Sequence, residues 1–151
     1  MSGPVSILTV SEMAAADKAA IAAGVPSITL MEHAGEAVAH AIGARFRPCR
    51  TLVLAGPGNN GGDAYVVARL LKAAGFDVRL EALAPPKTDD AKTAAAAWDG
   101  ETHTLRGSFG DAELVVVGLF GAGLDRPLTA EALRLARLSQ RHPEKMLSQF
   151  R

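Results

Sequence analysis

The N-terminal third of the chain carries apolar residues at helical spacing. Thr9 and Glu12 have the spacing of a capping box, and the alanine-rich segment after them predicts a first helix at Ser11 to Ala23, ended by Gly24. Ser27 is expected to cap a second helix, whose apolar residues fall along one side. Those residues are Leu30, Ala34, Ala37, Val38, Ala41 and Ile42. Two helices are therefore predicted before the first strand.

A strand, a glycine-rich loop, a helix and a second strand follow. Thr51 to Ala55 is short and continuously apolar, which is typical of a strand buried on both faces of a parallel sheet. An apolar stripe from Asp63 predicts a helix that ends at Gly75, and Asp77 to Leu83 then alternates like a strand. The alternation of helix and strand continues along the chain. Its later elements are a helix at Asp90 to Trp98, a strand near His103 and a strand at Leu114 to Val117. We expect an α/β fold: a three-layer αβα sandwich with a Rossmann-like, mostly parallel sheet and two extra N-terminal helices.

Composition narrows the class of protein. The 151 residues are 48% hydrophobic, enough for one core, so we expect a single domain at 1–151. Sixteen basic residues balance sixteen acidic ones, which argues against a nucleic-acid partner. No apolar run reaches the roughly 20 residues that cross a bilayer, and a single cysteine fits a reducing compartment. We therefore expect a cytoplasmic protein with no membrane partner.

The loop after the first predicted strand carries the candidate chemistry. Gly56 to Gly61 spells G-x-G-x-x-G between a strand and a helix, where glycines let backbone N–H groups approach a ligand. Asp63, placed at the helix start, would cap those N–H groups itself and repel a pyrophosphate. Asn59, Asn60 and Asp63 instead suit hydroxyls, an amide-bearing ring or a small hard cation. The alternative is that they are only turn and cap residues.

Three stretches resemble one known family. Leu54 to Gly75, with its GNNGGD loop and the pair Ala68-Arg69, is similar to the signature of the YjeF N-terminal family, the NAD(P)HX epimerases. The N-terminal stretch from Leu8 to Gly35 and the stretch from Leu119 to Leu128 resemble the same family. The likeness runs from Ile7 to about Leu135.

The resemblance implies an activity and a set of site residues. Family members interconvert the R and S epimers of hydrated NADH or NADPH, so that an ADP- or ATP-dependent hydrate dehydratase can repair the whole pool. By the same resemblance, Asn60 would also help to hold a potassium ion. As a hypothesis for the chemistry, Asp63 is the catalytic carboxylate best placed by the loop, and Asp125 is a second candidate beside the later loop. The substrate would be lined by Asn59, Asn60, Gly61, Gly62, Asp63, Gly121, Ala122, Gly123, Leu124, Asp125, Arg126 and Pro127.

The chain departs from the family pattern at two places. The family has an aspartate where this chain has Val117, so the ion site would lack a ligand. After about residue 135 the family continues with a further strand and an Asp-Ile/Leu-Pro-Ser-Gly loop, whereas this chain runs polar. A shortened sheet would expose apolar surface, so we expect either a homodimer or a shortened relative.

The sequence is compatible with two other functions. The fold could serve as a non-catalytic ligand-binding or protein-interaction module, or, on G-x-G-x-x-G alone, as an NAD-dependent oxidoreductase. Glu81 follows Gly61 by twenty residues, so it is either a ribose-binding acid or an outward residue on an alternating strand. Trp98 is expected to anchor its helix to the core.

Overall fold

The computed structural model of the chain describes residues 18–119 and 146–147. In chain order the elements are helix α1 (Ser27–Arg45), strand β1 (Arg50–Ala55), helix α2 (Asn59–Ala73), strand β2 (Asp77–Ala82), helix α3 (Asp89–Ala97) and strands β3 (Thr102–Thr104), β4 (Leu114–Gly118) and β5 (Met146–Leu147). Residues 18–22 are helical too and belong to the first predicted helix. Its predicted capping box at Thr9 and Glu12 lies outside the described residues.

The five strands form one parallel sheet in the order β3-β2-β1-β4-β5. Val53 in the central strand β1 pairs with Leu80 of β2 on one side and Val116 of β4 on the other. Continuous apolar runs in β1 and β4 produce this arrangement, because both faces of a parallel sheet are covered. The predicted α/β fold with a parallel sheet is confirmed.

The two faces of the sheet are covered differently within the described residues. Helices α1, α2 and α3 share one apolar cluster with inward residues such as Val53 and Leu80. On the opposite face, Leu52 and Val115 pack against Phe109 of the segment that joins β3 to β4. Helices α1, α2 and α3 thus form one helical layer of the predicted sandwich.

Two helix starts differ from the sequence prediction. Helix α2 begins at Asn59, four residues before Asp63, because the extended backbone of Gly58 (φ −91°, ψ −163°) places it at the N-cap and lets both asparagines enter the first turn. Ser27 is the first helical residue of α1 and not its cap, since Pro26 occupies the N-cap with a φ of −59° that already suits the turn. The expected cap by Ser27 was therefore wrong.

Helix α3 is held at both of its ends. At its start, the Thr88 side chain accepts a hydrogen bond from the backbone N–H of Ala91, as an N-cap residue does. At its end, Trp98 is buried in the apolar cluster that the three helices share, and its indole N–H donates a hydrogen bond to the carbonyl oxygen of Glu101. The predicted anchoring role of Trp98 is confirmed.

Candidate functional site

The sheet order places the candidate site at the carboxyl ends of β1 and β4. The chain runs from β1 outward through β2 to β3 and then returns to β4 on the other side of β1. The loops that leave β1 and β4 therefore begin side by side at this edge of the sheet, where the strand order switches direction. In open parallel sheets, ligands bind in the crevice at such a switch point.

The glycine loop lies against the start of the loop that leaves β4. The N–H of Gly56 donates to the carbonyl oxygen of Gly118 over 2.8 Å, and a side chain at Gly56 would overlap the carbonyl of Leu119. A side chain at Gly61 would in turn overlap the carbonyl of Gly56. Glycine is required at these positions because backbone meets backbone there with no room for a Cβ atom.

The first turn of α2 presents its backbone N–H groups toward this crevice. No side chain caps the helix at Gly58, and the first intrahelical bond, from the Gly62 N–H to the Gly58 oxygen, leaves the preceding N–H groups of the turn without a helical partner. Such N–H groups, with the positive end of the helix dipole, favour anionic and polar ligand atoms. Asn59 is exposed and Asn60 half-buried at this end. The arrangement can therefore bind phosphate, hydroxyl or carboxamide oxygens.

Asp63 does not occupy the position that the sequence indicated. It is the fifth residue of α2 and fully buried, so it lies beyond the first turn of the helix, whose N-cap residue is Gly58. The predicted position of Asp63 at the helix start was therefore wrong. Helical spacing puts Asp63 on the same side as Asn59 and Asn60, with its side chain inclined toward the N-terminus of the helix.

The two remaining glycines of the GNNGGD segment have different neighbours. Gly61 faces the glycine loop, whereas Gly62 faces the neighbouring helices. A Cβ atom at Gly62 would lie 2.5 Å from Cε of Met31 in α1 and 3.2 Å from Cα of Ala91 in α3. Gly62, predicted to bind substrate, is buried beneath these two helices and allows them to pack closely.

A second wall of the site, which the sequence reasoning missed, is formed by the segment after β2. The Leu83 N–H donates to the Ala55 oxygen over 2.9 Å, and the Lys87 N–H donates to the Pro57 oxygen over 2.8 Å. The Thr88 hydroxyl lies 2.7 Å from Oδ1 of Asn59. The available signal was topological: β2 neighbours β1 in a parallel sheet, so the loops at their carboxyl ends meet at the same edge.

The predicted opposite wall of the site lies outside the described residues. Gly121, Ala122, Gly123, Leu124, Asp125, Arg126 and Pro127 are all in this group. Leu119, which begins their loop, is buried and lies against Gly56. The described residues thus bring the start of this loop to the glycine loop.

Val117 lies near the site but offers it no polar side chain. It pairs with Leu54 of β1, and its half-buried side chain packs against the apolar cluster on the face opposite the helices. Among the described residues, no group of three or more histidine, cysteine, aspartate or glutamate side chains could hold a metal ion. Of the position of the family's aspartate and Asn60, which the resemblance links to the ion, only Asn60 offers an oxygen ligand from its side chain.

Glu81 fits neither of the two roles considered for it. It is fully buried, and its Oε2 accepts hydrogen bonds from Nε of Arg79 and from Nε of Arg106, each with a length of 2.8 Å. Its Oε1 accepts the backbone N–H of Arg106 over 2.9 Å. Both predictions were wrong because the alternation of the strand cannot reveal a cation 25 residues later in the chain. The carboxylate fixes the segment after β3 to the sheet.

A cavity of about 240 Å³ lies at the other end of the sheet. Its lining includes Arg50 and Asp77, the first residues of β1 and β2, together with Arg79 and Arg106. Arg79 and Arg106 are both paired with Glu81, and Arg50 pairs with Asp111. With its charges balanced and its place at the amino ends of the strands, this cavity is a weaker candidate for a ligand site than the glycine-loop crevice.

The chain is similar to proteins of one family. Residues 27–149 match the family model of the YjeF-related protein N-terminus. The chain is 42% identical over 141 residues to an NAD(P)H-hydrate epimerase of Rhodobacter capsulatus, covering 82% of this chain and 65% of that one. It is 50% identical over 109 residues to an NAD(P)H-hydrate epimerase of Achromobacter xylosoxidans, covering 68% of this chain and 52% of that one.

Two further similarities concern a longer protein and a solved structure. The chain is 39% identical over 133 residues to the bifunctional NAD(P)H-hydrate repair enzyme Nnr of Thermosynechococcus vestitus, covering 83% of this chain and 26% of that one. The crystal structure of the yeast protein ynu0 has the same fold, with a TM-score of 0.73 at 21% identity over 95% of this chain and 69% of that one. The chain thus spans between a quarter and two thirds of the length of these relatives.

Within the part of the chain that the structure describes, no helix combines the length and apolar character needed to span a bilayer.

Proposed function

Because this chain belongs to the family of the YjeF-related protein N-terminus, we propose that it acts as an NAD(P)H-hydrate epimerase. It would interconvert the R and S epimers of hydrated NADH and NADPH, binding them at the carboxyl ends of β1 and β4. The names of the Rhodobacter and Achromobacter relatives support this reaction, and the matched residues include the whole glycine loop.

The observation that carries the proposal is the convergence of two loops at the switch point of the sheet. The glycine loop after β1 and the start of the loop after β4 meet through Gly56 and Leu119. Beside them, the first turn of α2 offers free N–H groups and the amides of Asn59 and Asn60. N–H donors suit the phosphate oxygens of a dinucleotide, and amides suit ribose hydroxyls and the nicotinamide carboxamide.

The proposed reaction requires a group of the protein that can donate one proton and take it back. The lone pair of the ring nitrogen expels the C6 hydroxyl, which leaves as water after receiving a proton from an acid. The planar cation that remains is attacked by water on either face, and the proton returns to the base. Asp63 is our proposed acid and base, because it lies on the same side of α2 as the two asparagines and is shielded from solvent. Asp125 is the second candidate.

The potassium ion that the resemblance implies does not fit the described residues. A hard cation takes several oxygen ligands, whereas the position of the family's aspartate holds Val117, packed in an apolar cluster. Asn60 alone would not bind the ion tightly. We therefore assign no step of the reaction to potassium.

The decisive experiment follows the two hydrate epimers by chromatography after one has been purified. We expect the chain to accelerate their equilibration over the spontaneous rate, and Asp63→Asn to abolish that acceleration. Asp99→Asn is the matched control, because Asp99 is an exposed carboxylate that pairs with Lys72, well away from the glycine loop. Retained activity in Asp63→Asn would remove Asp63 from the mechanism and leave Asp125→Asn as the next variant.

A second candidate function is that of a ligand-binding module without turnover, and Val117 is the observation that favours it. That function predicts thermal stabilisation by the hydrated cofactor with no change in the equilibration rate. An NAD-dependent oxidoreductase, considered from the sequence, has less support because Glu81 is held by two arginines and is not open to a ribose. Hydride transfer to a substrate, measured as an absorbance change, would support the oxidoreductase function.

Partners and compartment are proposed on the same basis. We expect a cytoplasmic protein that forms a homodimer and acts beside an ADP- or ATP-dependent hydrate dehydratase. The bifunctional name of the Thermosynechococcus relative supports the link to a second repair activity. Light scattering on the purified chain measures the oligomeric state.

A further inference from the structure

Thr88 connects the start of α3 to the glycine loop through its hydroxyl group. Its Oγ1 accepts the N–H of Ala91 over 3.1 Å and lies 2.7 Å from Oδ1 of Asn59. The contact with Asn59 joins residues that are 29 positions apart in the chain, the N-cap residue of α3 and the first residue of α2.

The hydroxyl has one proton to donate, and the two contacts determine where it points. The Ala91 N–H approaches a lone pair of Oγ1, so the hydroxyl proton is free to be donated to Oδ1 of Asn59. With Oδ1 accepting that proton, the amide nitrogen of Asn59 is directed away from Thr88. If the amide were rotated by 180°, its N–H group would face the Thr88 hydroxyl oxygen, and the hydroxyl proton would lose Oδ1 as its acceptor.

The contacts around Thr88 hold the hydroxyl in place. Ala91 is buried, and its Cα would lie 3.2 Å from a Cβ atom on Gly62, so α3 packs directly on the first turn of α2. The adjacent Lys87 N–H is bonded to Pro57 of the glycine loop. The hydroxyl is thus positioned by backbone on two sides, whereas Asn59 is exposed to solvent.

We propose that Thr88 is a positioning residue that orients the amide of Asn59, so that Asn59 presents N–H donors to an acceptor oxygen of the bound nucleotide, a carboxamide carbonyl or a phosphate. The proposal rests on the proposed function, since it assigns Asn59 to that substrate. Thr88 itself touches no reacting atom. Its loss therefore weakens binding more than it slows the chemical step.

The test compares three variants in the epimer equilibration assay. Thr88→Gly removes the hydroxyl while keeping a residue that helix N-caps tolerate, and it should raise KM by about threefold to tenfold with kcat within about twofold. Thr88→Ser, which retains the hydroxyl, should restore the KM. Thr93→Val is the matched control, because its hydroxyl bonds only within α3, to the oxygen of Asp89, and its KM should not change. A Thr88→Gly variant with unchanged KM overturns the proposal, as does a fall in kcat with KM unchanged.

A second measurement separates this inference from the proposed function. The side-chain NH₂ signals of Asn59 in a nitrogen-15 NMR spectrum should shift in Thr88→Gly and return in Thr88→Ser, with no substrate present. If those signals shift but the unaltered chain never equilibrates the epimers, the proposed function is wrong while the orientation of Asn59 stands. If the signals do not move, the positioning role is wrong whatever the activity.

Discussion

Gly35 of α1 lies directly against Val66 of α2, so that a methyl group on Gly35 would overlap Cγ1 and Cβ of the valine. We predict that Gly35→Ala lowers the free energy of unfolding by about 1–3 kcal/mol, because the helices must move apart or Val66 must leave its rotamer. Urea denaturation followed by circular dichroism measures the change.

The same helix provides a control for that substitution. Gly43 is exposed, and a Cβ atom there would meet nothing within 4 Å. Gly43→Ala should therefore stabilise the protein by about 0.5–1 kcal/mol through helix propensity alone. Equal effects from the two substitutions would mean that the contact between Gly35 and Val66 does not constrain the helices.

The sheet could be predicted from sequence because its signal is local. The apolar runs of β1 and β4 and the glycine at position 75 mark strands and a helix end without reference to distant residues. The start of α2 could not, since Asn59-Asn60-Gly61-Gly62 has poor helix propensity and becomes helical through close packing against Gly56, Met31 and Ala91.

The candidate site divides in the same way. The glycine loop was recognisable because its pattern stands directly between a strand and a helix. The contact of Thr88 with Asn59 spans 29 residues, and the pairing of Arg106 with Glu81 spans 25 residues. No local sequence pattern could therefore predict these two contacts.

Glu81 gives the second prediction. Its buried carboxylate accepts three hydrogen bonds from two arginines, and Glu81→Gln would remove the charge that both guanidinium groups share. We expect a loss of about 1–3 kcal/mol in unfolding free energy, a range reduced for the partial exposure of both arginines. Glu101→Gln is the control, because Glu101 is 86% exposed, and its effect should stay below about 0.5 kcal/mol. Equal stability of Glu81→Gln and the unaltered chain would contradict this role.

Tyr65 gives the third prediction, on pH. It is the single tyrosine of the chain and is buried in α2, and this burial raises the pKa of its phenol above the ordinary 10.0. Because the folded-state pKa is the higher one, the stabilising contribution is complete below the unfolded pKa and is lost as pH rises through the folded pKa. The near-ultraviolet absorbance of the phenolate should titrate above 10.0 in the folded protein and near it in urea.

Two observations bear on that titration. Tyr65→Phe should remove the phenolate signal altogether and soften the loss of stability at alkaline pH. A folded-state midpoint at or below the ordinary value would mean that the ring is reached by solvent, against the burial found in α2.

Val117 gives the last prediction, which concerns the cation. Its side chain packs against the apolar cluster that includes Leu54, and the one described residue that the resemblance assigns to a potassium ion is Asn60. We expect equilibration of the epimers at the same rate, within about twofold, when sodium replaces potassium at equal ionic strength, because an ion with so few protein oxygens would remain largely hydrated. Val117→Asp should not create a potassium dependence, since it sets a charge among apolar side chains and would destabilise the fold first. A strong requirement for potassium in the unaltered chain would show that oxygens from residues outside the described part complete an ion site, and it would reverse our conclusion on this cofactor.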